Sequence, residues 1–515
     1  MTSGFALARS KTTPLLLFSC FCLLTGDVLF GYDTSSFGGI LANPGFLARF
    51  APYHLATKTY AFDSLHTSLI SSLPFIGKFF GCLLAGPAIE RFGHRMVFWA
   101  LSVVSIVGIV IEITSASGST GRYAQFLVGR VIVYISVGLV EVDVTTYQAE
   151  IVPAPFRGLV VVSLQLFLNA GTVIATGINK AFSTNTSNVG WQTVTGLQFI
   201  FPLLIIIFTY FIPNSPRWLM AKDRDDEAVA ALRRLRPQED VDAGHCEAEI
   251  AAIKAALRER VYKAPWTDLV RGINLKRTLL VMVYYFFQQT TGQAFVSTYQ
   301  TTFYKTNGFA MQAFTYPVIN SCLSLLSVLP AMYLVDVFGR RPALLQSFFF
   351  QAFWMFLLAG LGSKSNRSES QNNTVVASFM LYAFFYNMGG ASLPYLLGAE
   401  VPNAALREKT QSIGASWNVV WAFVTNFVIP YMINSIHFKV GWVFGGIACV
   451  ALVFTYLFLP ETKGRSLEEI DALFAVPFNP FRETTVIPTA EQRFIGHLEG
   501  AVEEDKDTAK FVETA

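Results

Sequence analysis

Charge is scarce in this chain of 515 residues. Asp, Glu, Lys and Arg make up 14% of the residues and hydrophobic types 53%, whereas a soluble domain has about a quarter charged residues. The formal net charge is only +3, too small to indicate a nucleic-acid partner. These deficits exclude an ordinary soluble protein and favour a protein of the lipid bilayer.

Cysteine is also infrequent, and no motif of enzyme chemistry is present. Five of the six cysteines fall in apolar stretches without metal-ligand spacing: Cys20, Cys22, Cys82, Cys322 and Cys449. This usage predicts neither a disulfide framework nor a zinc site. Since a nucleophile motif and a glycine-rich cofactor loop are also missing, we expect no cofactor, no metal ion and no enzymatic activity.

Long apolar runs dominate the sequence. Crossing the hydrocarbon core takes about 20 mostly apolar residues, and no run alternates as barrel strands do, so the spans are predicted to be helices. The twelve predicted spans lie near 15–38, 66–89, 96–115, 123–148, 158–181, 192–212, 278–304, 314–337, 342–361, 376–401, 409–434 and 440–460. We therefore predict an all-α membrane protein with twelve transmembrane helices.

The loops predict the orientation. Basic residues concentrate after spans 2, 4, 6, 8 and 10 and in both tails, which places these loops and both termini in the cytoplasm. Acceptor sequons on the opposite side predict glycosylation at Asn185, Asn366 and Asn372. Outward-facing sequons favour the secretory pathway and the plasma membrane.

Internal repeats divide the chain into two halves. The repeated pairs are 90–95 with 336–341, Glu150…Arg157 with Glu400…Arg407, and 213–217 with 460–465, at separations of 246, 250 and 247 residues. One nearly constant separation predicts two six-helix pseudo-repeats. The predicted regions are a cytoplasmic tail at 1–14, a six-helix bundle at 15–212, a helical cytoplasmic linker at 213–277, a second bundle at 278–460 and a cytoplasmic tail at 461–515.

Acidic and arginine residues of these repeats lie where spans leave the membrane. Arginine can pair bidentately with carboxylates at the ends of neighbouring helices, which would hold the cytoplasmic face shut. The predicted gate residues are Glu90, Arg91, Arg95, Glu150, Arg157, Arg217, Asp336, Arg340, Arg341, Glu400 and Arg407. The alternative is that the basic residues only set the orientation.

Several motifs in order resemble one family. They are Gly31-Tyr32-Asp33, Gly86-Pro87 before 90–95, Gly129-Arg130, Tyr147 with Glu150 and Arg157, Gln165-Leu166, Ser215-Pro216-Arg217, 288–292, Asp336 with 339–342, Glu400-Val401-Pro402 and 460–471. From about residue 15 to 471 the chain resembles the sugar-porter family of major facilitator transporters, in its fungal style. This resemblance implies two six-helix halves with a substrate site between them.

The resemblance also implies roles for individual residues. Side-chain amides donate and accept as sugar hydroxyls do. The positions that match substrate-binding residues of the family are Gln165, Gln288, Gln289, Asn418, the gate residue Tyr299, and Tyr395 in place of a tryptophan. Ala294, where the family has asparagine, and Tyr395 weaken an assignment to glucose. The alternative is that the amides only hold helices together.

Asp33 and Arg130 match the pair that couples protons in symporters of the family. A carboxylate in mid-membrane is costly and usually functional, although a permanent structural salt bridge is the alternative. Further charges occur in the first four spans, namely Asp27, Lys78, Glu112, Glu141 and Asp143. They either extend a proton path or select a charged substrate.

The predicted function is import of a sugar, most simply a monosaccharide, with protons by alternating access. The predicted partners are the sugar, protons and the lipid bilayer, with the monomer as the functional unit. The alternatives within transport are sugar acids, quinate, polyols or oligosaccharides as substrate, or facilitation without coupling. A non-transporting sugar receptor is the alternative of another class.

Overall fold

A computed structural model describes most of the chain. The described residues are 13–55, 58–118, 121–152, 157–242, parts of 244–254, 265–403, 406–463, 470, 473 and 474. They are helical except for turns and a short antiparallel β-ladder that pairs Tyr53 with Tyr60 and His54 with Thr59. The prediction of an all-α architecture is confirmed.

Six helical spans form the N-terminal half. They are span 1 (Pro14–Ile40), span 2 (Ser64–Ser72 and Pro74–Phe92), span 3 (His94–Thr114), span 4 (Tyr123–Ile151), span 5 (Arg157–Ala181) and span 6 (Asn188–Gly196, Leu197–Phe199 and Ile200–Phe211). A short helix, Pro44–Phe50, follows span 1. After span 6 the linker contains the short helices Pro216–Met220, Asp225–Leu235, Gln238–Asp242 and Trp266–Val270.

Six further spans form the C-terminal half. They are span 7 (Gly272–Thr290, Gln293–Ser297 and Gln300–Thr306), span 8 (Thr315–Phe338), span 9 (Arg340–Gly362), span 10 (Glu369–Phe385, Tyr386–Gly390 and Leu393–Glu400), span 11 (Arg407–Ile436) and span 12 (Val440–Phe458). Within the described residues, seven stretches are long and apolar enough to cross a membrane by length and composition alone.

The two halves repeat the same helix packing. Span 1 packs on 5, span 2 on 4, and span 3 on 4 and 6; correspondingly span 7 packs on 11, span 8 on 10, and span 9 on 10 and 12. Between the halves, span 5 packs on 8 and span 11 on 2. These two contacts exchange when the halves are swapped, so the bundle has a pseudo-twofold arrangement.

Close crossings place two charged residues inside the N-terminal half. A Cβ atom added at Gly31 would lie 1.9 Å from the carbonyl oxygen of Leu168, and one at Gly77 would lie 2.0 Å from that of Val131. Glycine lets the backbones meet at these crossings. Asp33 and Lys78, close to these glycines in the sequence, are therefore held inside the bundle.

Spans 7 and 10 are interrupted, whereas the sequence predicts unbroken helices there. Span 7 breaks at Gly292, which has a left-handed backbone with φ of 113°. Span 10 widens into a π-helix at Tyr386–Gly390, where the N–H of Gly390 donates to Ser347 Oγ at 3.0 Å. Irregular backbone at membrane depth is tolerated where it is buried in protein or lines a cavity, and both breaks flank the polar residues described next.

Candidate substrate, proton and gate sites

Three of the predicted amides form a chain between spans 7 and 11. Asn418 Nδ2 donates to Gln288 Oε1 at 2.6 Å, and Gln289 Nε2 donates to Asn418 Oδ1 at 3.1 Å. Gln288 Nε2 donates to the carbonyl of Ala391, just after the π-helix, at 2.6 Å. Gln288 and Asn418 are buried and Gln289 is half-buried, so the C-terminal half presents a connected row of amides.

The fourth predicted amide belongs to a second group that joins the halves. Gln165 Nε2 and Asn169 Nδ2, one turn apart on span 5, donate to Asn387 Oδ1 of the π-helix at 3.2 and 3.1 Å. Asn387 therefore connects span 5 of the N-terminal half to span 10 of the C-terminal half. Sequence reasoning missed Asn169 and Asn387, although the glycine pair that follows Asn387 at 389–390 indicates an irregular helix.

Aromatic side chains border the amide chain. The Tyr386 hydroxyl donates to the carbonyl of Gln288 at 3.2 Å, and the ring of Tyr395 packs edge-on against Tyr285 at 5.3 Å between centroids. The carbonyl of Tyr285 accepts from Asn418 at 3.3 Å, which brings Tyr395 close to the amides. Tyr299 is buried, and its hydroxyl donates to the carbonyl of Asn426 at 2.7 Å.

An ion pair extends this polar region into the N-terminal half. Lys78 Nζ of span 2 lies 3.0 Å from Glu141 Oε2 of span 4, and the hydroxyl of Tyr395 donates to Glu141 Oε1 at 2.9 Å. Glu141 thus links the two halves. Asp27 on span 1 is also buried and interacts electrostatically with Glu141.

Asp33 is buried, but its contacts differ from the predicted direct pairing with Arg130. Asp33 Oδ1 accepts from Gln198 Nε2 of span 6 at 3.0 Å. Arg130 lies with its guanidinium 3.7 Å from the ring centroid of Phe37 and donates to the Tyr134 hydroxyl at 3.2 Å. Both residues belong to the described part of the chain, and no ion pair within 4.0 Å joins them. The two still interact electrostatically.

Equivalent networks occupy the end of the bundle that carries the turns at Gly93 and Gly339, which we name the motif face. In the C-terminal half, Arg340 Nη2 lies 2.9 Å from Glu400 Oε1, and Thr462 Oγ1 donates to Glu400 Oε2 at 2.8 Å. Glu400 therefore connects the start of span 9 to the segment after span 12.

The N-terminal half repeats this network with a different base. His94 Nε2 lies 3.2 Å from Glu150 Oε2, and Ser215 Oγ donates to the same carboxylate. His94 Nδ1 also lies 2.5 Å from Asp143 Oδ1. Sequence reasoning missed His94 as a gate residue, although it occupies the position of Arg340 in the repeated motif.

Two more predicted gate arginines, Arg95 and Arg341, bind backbone carbonyls. Arg95 donates to the carbonyls of Thr209 and Tyr210 at 3.2 and 3.3 Å, and Arg341 donates to that of Tyr456 at 2.8 Å. Both arginines thus bind the last turn of the sixth span in their half. These carbonyls belong to the last turn of a helix, where they lack a helical partner.

Other gate predictions have varied surroundings. Arg91 lies over the ring of Phe92 at 5.4 Å, and the backbone carbonyl of Glu90 accepts from Trp218 Nε1 at 3.2 Å. Arg217 acts electrostatically on Glu150. Arg407 begins span 11 and is half-buried. The side chains of Arg157 and Asp336 lie outside the described residues.

Hydrogen bonds join the halves at the opposite end of the bundle, which we name the loop face because it carries the β-ladder. Ser68 Oγ donates to the carbonyl of Phe427, and Lys305 Nζ to that of Ala42, each at 2.6 Å. Asn434 Nδ2 donates to Ser64 Oγ at 2.6 Å. The loop face is thereby held closed.

The sequons follow spans 5 and 9. Asn185 lies in the turn before span 6, where its Oδ1 accepts from the N–H and hydroxyl of Ser187 at 2.9 and 2.7 Å. Asn366 is exposed between spans 9 and 10, and Asn372 is half-buried in the first turns of span 10. Glycosylation at these positions stays a prediction.

Comparison with known proteins decides the family. A family model described as "Sugar (and other) transporter" matches residues 19–474. The chain belongs to this sugar transporter family. Among its curated relatives are the low-affinity glucose transporter HXT3 of Saccharomyces cerevisiae, 27% identical over 92% of this chain and 84% of the relative. The high-affinity fructose transporter ght6 of Schizosaccharomyces pombe is 29% identical over 88% of this chain and 86% of the relative.

Solved structures show the same fold. The proton:xylose symporter XylE bound to 6-bromo-6-deoxy-D-glucose aligns with a TM-score of 0.73 at 23% identity, covering 89% of this chain and 99% of XylE. A partially occluded inward open XylE from E. coli aligns with a TM-score of 0.73 at 22% identity, covering 88% and 100%. The chain is a multi-pass membrane protein with the major facilitator fold of twelve spans in two pseudo-repeats. Its family and the named relatives are transporters and not enzymes.

Proposed function

We propose that this sugar transporter imports a monosaccharide together with protons by alternating access. The observation that carries the proposal is the coexistence of two buried polar sites in one bundle. An amide chain lies in the C-terminal half, and a carboxyl group with a nearby guanidinium lies in the N-terminal half. Charged groups are costly inside a membrane, and those that occur there usually serve a function.

The amide chain supports a neutral, hydroxyl-rich substrate. Gln288 and Asn418 each donate and accept, and Gln289 donates; their partners in these bonds are one another and the carbonyl of Ala391. A sugar hydroxyl can take over either role. The named relatives transport glucose and fructose, which supports a hexose as the substrate to test first.

The Lys78–Glu141 pair supports a second candidate, a sugar acid. Tyr395 borders the amide chain and bonds to Glu141, whose other oxygen pairs with Lys78. A carboxylate substrate in this region would compete with Glu141 for the ammonium group of Lys78. The neutral sugar remains the first candidate because Lys78 already has a carboxylate partner.

Asp33 supports coupling to protons. Its Oδ2 atom is buried without a hydrogen-bond partner among the described residues, so a proton can be placed there. In the proposed cycle Asp33 gains a proton from the outside, its attraction to Arg130 falls, and the sugar binds. Release of the proton to the cytoplasm restores the attraction and resets the carrier.

The two faces of the bundle support alternating access. We assign the motif face to the cytoplasm, together with both termini, and the closed loop face to the outside of the plasma membrane. The networks at Glu150 and Glu400 then lie on the cytoplasmic side, each within one half, where they tie the ends of neighbouring spans together as the halves move. Gln288, Asn418 and Asp33 are buried in the interior of the bundle and not at its outer surface, which supports a functional monomer.

Uptake by cells that lack their own sugar transporters tests the proposal. Labelled hexoses and sugar acids are offered at two external pH values to cells with the wild type or Asp33→Asn. We expect one hexose to accumulate faster at acidic pH, and Asp33→Asn to abolish accumulation while exchange persists. Uptake indifferent to pH and mutation would identify a facilitator, preference for an acid would select the second candidate, and no uptake from surface-exposed protein would favour a receptor.

A further inference from the structure

A second buried carboxyl group lies beside the proposed proton site. Glu112 on span 3 is 1% exposed, Asp33 on span 1 is 0% exposed, and Arg130 on span 4 is 2% exposed. Glu112 interacts electrostatically with both Arg130 and Asp33, and Asp33 with Arg130. Two buried acids therefore share one permanent cation.

Close packing of spans 3 and 4 holds Glu112 in this place. A Cβ atom added at Gly129 would lie 2.7 Å from Glu112 Cγ, and one at Gly108 would lie 2.9 Å from the carbonyl oxygen of Gly129. The segment from Gly108 to Glu112 thus rests directly on Gly129, the neighbour of Arg130. The packing of spans 3 and 4 therefore fixes the position of the Glu112 side chain at this site.

The hydrogen bonds around Arg130 leave both acids incompletely satisfied. Glu112 Oε1 and Asp33 Oδ2 are buried without a hydrogen-bond partner among the described residues, as is Arg130 Nε. Buried polar atoms normally have partners. Two ionised carboxylates beside one guanidinium would also leave a net negative charge in a low-dielectric interior, which is strongly unfavourable. One proton on either carboxyl group removes that charge.

We propose that Glu112 and Asp33 form a two-carboxyl site that holds one transported proton, with Arg130 as the counter-ion of whichever carboxyl group is ionised. This inference rests on the proposed proton symport. When a proton binds to Asp33 Oδ2, the charge of Arg130 is balanced by Glu112. Without Glu112, protonation of Asp33 would leave Arg130 buried and uncompensated. Glu112 therefore makes protonation of Asp33 possible near neutral pH.

The other titratable groups near this site are phenols. Tyr32 on span 1 and Tyr134 on span 4 interact with Asp33, and Tyr299 on span 7 interacts with Arg130. Phenols ordinarily titrate near pH 10, outside the range of the test. Gln198 of span 6, which donates to Asp33, does not titrate. A change that the Glu112 variants cause in the response between pH 5 and 8 is therefore assigned to the carboxyl groups of this site.

Neutral variants of Glu112 test the inference. In proteoliposomes that contain the wild type, Glu112→Gln or Glu112→Met, hexose uptake is measured as a function of external pH, and gradient-free exchange is measured beside it. We expect the pH of half-maximal uptake to fall by about one unit or more, since a negative charge beside a carboxyl group favours its protonated form and the neutral variants remove that charge. Exchange at saturating acidity should persist. Glu112→Asp keeps the charge and should shift the profile less than Glu112→Gln does.

Each outcome decides between the inference and the function on which it rests. If the wild type shows no pH dependence, proton symport and the shared proton are both overturned. If the wild type responds to pH and the neutral variants have the same profile, only the shared proton is overturned. A shift in Glu112→Asp as large as in Glu112→Gln would assign the effect to packing and would also overturn it. Two neutral variants of similar length provide a test even if one of them fails to fold.

Discussion

The two halves of this transporter have the same helix order but different buried chemistry. The charged side chains buried in the described spans of the N-terminal half are Asp27, Asp33, Lys78, His94, Glu112, Arg130 and Asp143. In the described C-terminal half the buried charged side chain is Arg277, and amides such as Gln288, Asn387 and Asn418 dominate the polar interior. One scaffold thus carries two chemistries, which supports proton binding in one half and sugar binding in the other.

The motif face shows the same contrast on a smaller scale. Glu400 is held by Arg340, which is permanently charged, and Glu150 by His94, which is charged only when protonated. His94 has the additional acid Asp143 on its other nitrogen. With both ring nitrogens against carboxyl groups, the imidazole is best satisfied as a double donor. Asp143 thus favours the charged form of His94, so that the histidine can hold Glu150 as Arg340 holds Glu400.

The largest effect on stability is expected at Glu141 of the N-terminal half, which pairs with Lys78 and bonds to Tyr395 of the C-terminal half. Glu141→Gln leaves the Lys78 ammonium group without its paired carboxylate, and removing one partner of a buried pair costs about 3–5 kcal/mol. The melting temperature in detergent should therefore fall by many degrees. Tyr395→Phe is the control, because it removes one hydrogen bond worth about 0.5–1.5 kcal/mol. Equal losses in the two variants would show that Lys78 does not depend on Glu141.

A change in the amide half should affect the sugar and leave the proton response intact. Gln288→Ala removes a donor and an acceptor from the chain, and a loss of about 1.5–3 kcal/mol raises KM by roughly 10- to 100-fold. The pH of half-maximal uptake should stay at the wild-type value. Asn426→Ala is the matched control, since its side chain bonds to its own helix at the carbonyl of Ala422. A shift of the pH profile in Gln288→Ala would contradict the division of labour.

Exchanging the basic residues of the motif face, Arg340 and His94, tests whether a permanently charged and a titratable base act differently at the gate. Arg340→His places an imidazole beside Glu400, and Leu393 stands at the position that corresponds to Asp143 by the 250-residue repeat, so the second acid that faces His94 has no equivalent at that position. The imidazole pairs when protonated, so uptake should fall several-fold as the internal pH rises through about 6.5. Uptake is measured in proteoliposomes of fixed internal pH. His94→Arg introduces a permanent charge and should not acquire this dependence; if both variants behave alike, the base is irrelevant to the gate.

The smallest effect concerns a feature that the halves share. Gly93 and Gly339 have φ angles of 80° and 99°, and a Cβ atom at Gly339 would lie 2.5 Å from Glu461 Oε2. Alanine at either position should cost about 1–2 kcal/mol, because this backbone region is strained for other residues. Thermal unfolding measures the loss. Gly86→Ala, in the interior of span 2 with no atom within 4 Å of the added Cβ, should cause none.

Much of the architecture was predictable because its causes are local. A stretch of about 20 apolar residues must form a helix in the bilayer, and the repeated motifs reveal the two halves. Gln288, Gln289 and Asn418 were predictable as a group through resemblance, and they do form one hydrogen-bonded chain. Their role in binding the substrate stays a prediction.

Other features depend on partners that are distant in the sequence. Asn387 joins Gln165 and Asn169 across 222 and 218 residues, and no local pattern marks such a pairing. The π-helix of span 10 similarly depends on Ser347 of span 9, whose hydroxyl accepts the N–H of Gly390 and donates to the carbonyl of Phe385. A continuous helix was the natural expectation from hydropathy alone.

The sequence by itself determined the membrane location, the helix order, the two-fold repeat and the family, because hydropathy and motif spacing are properties of the chain. Only the tertiary structure decided which charges meet. Asp33 bonds to Gln198, Glu112 shares Arg130 with it, and Glu141 joins Lys78 to Tyr395. In a low-dielectric interior the energy of a charge depends on separations of a few ångströms, and helix packing sets those separations.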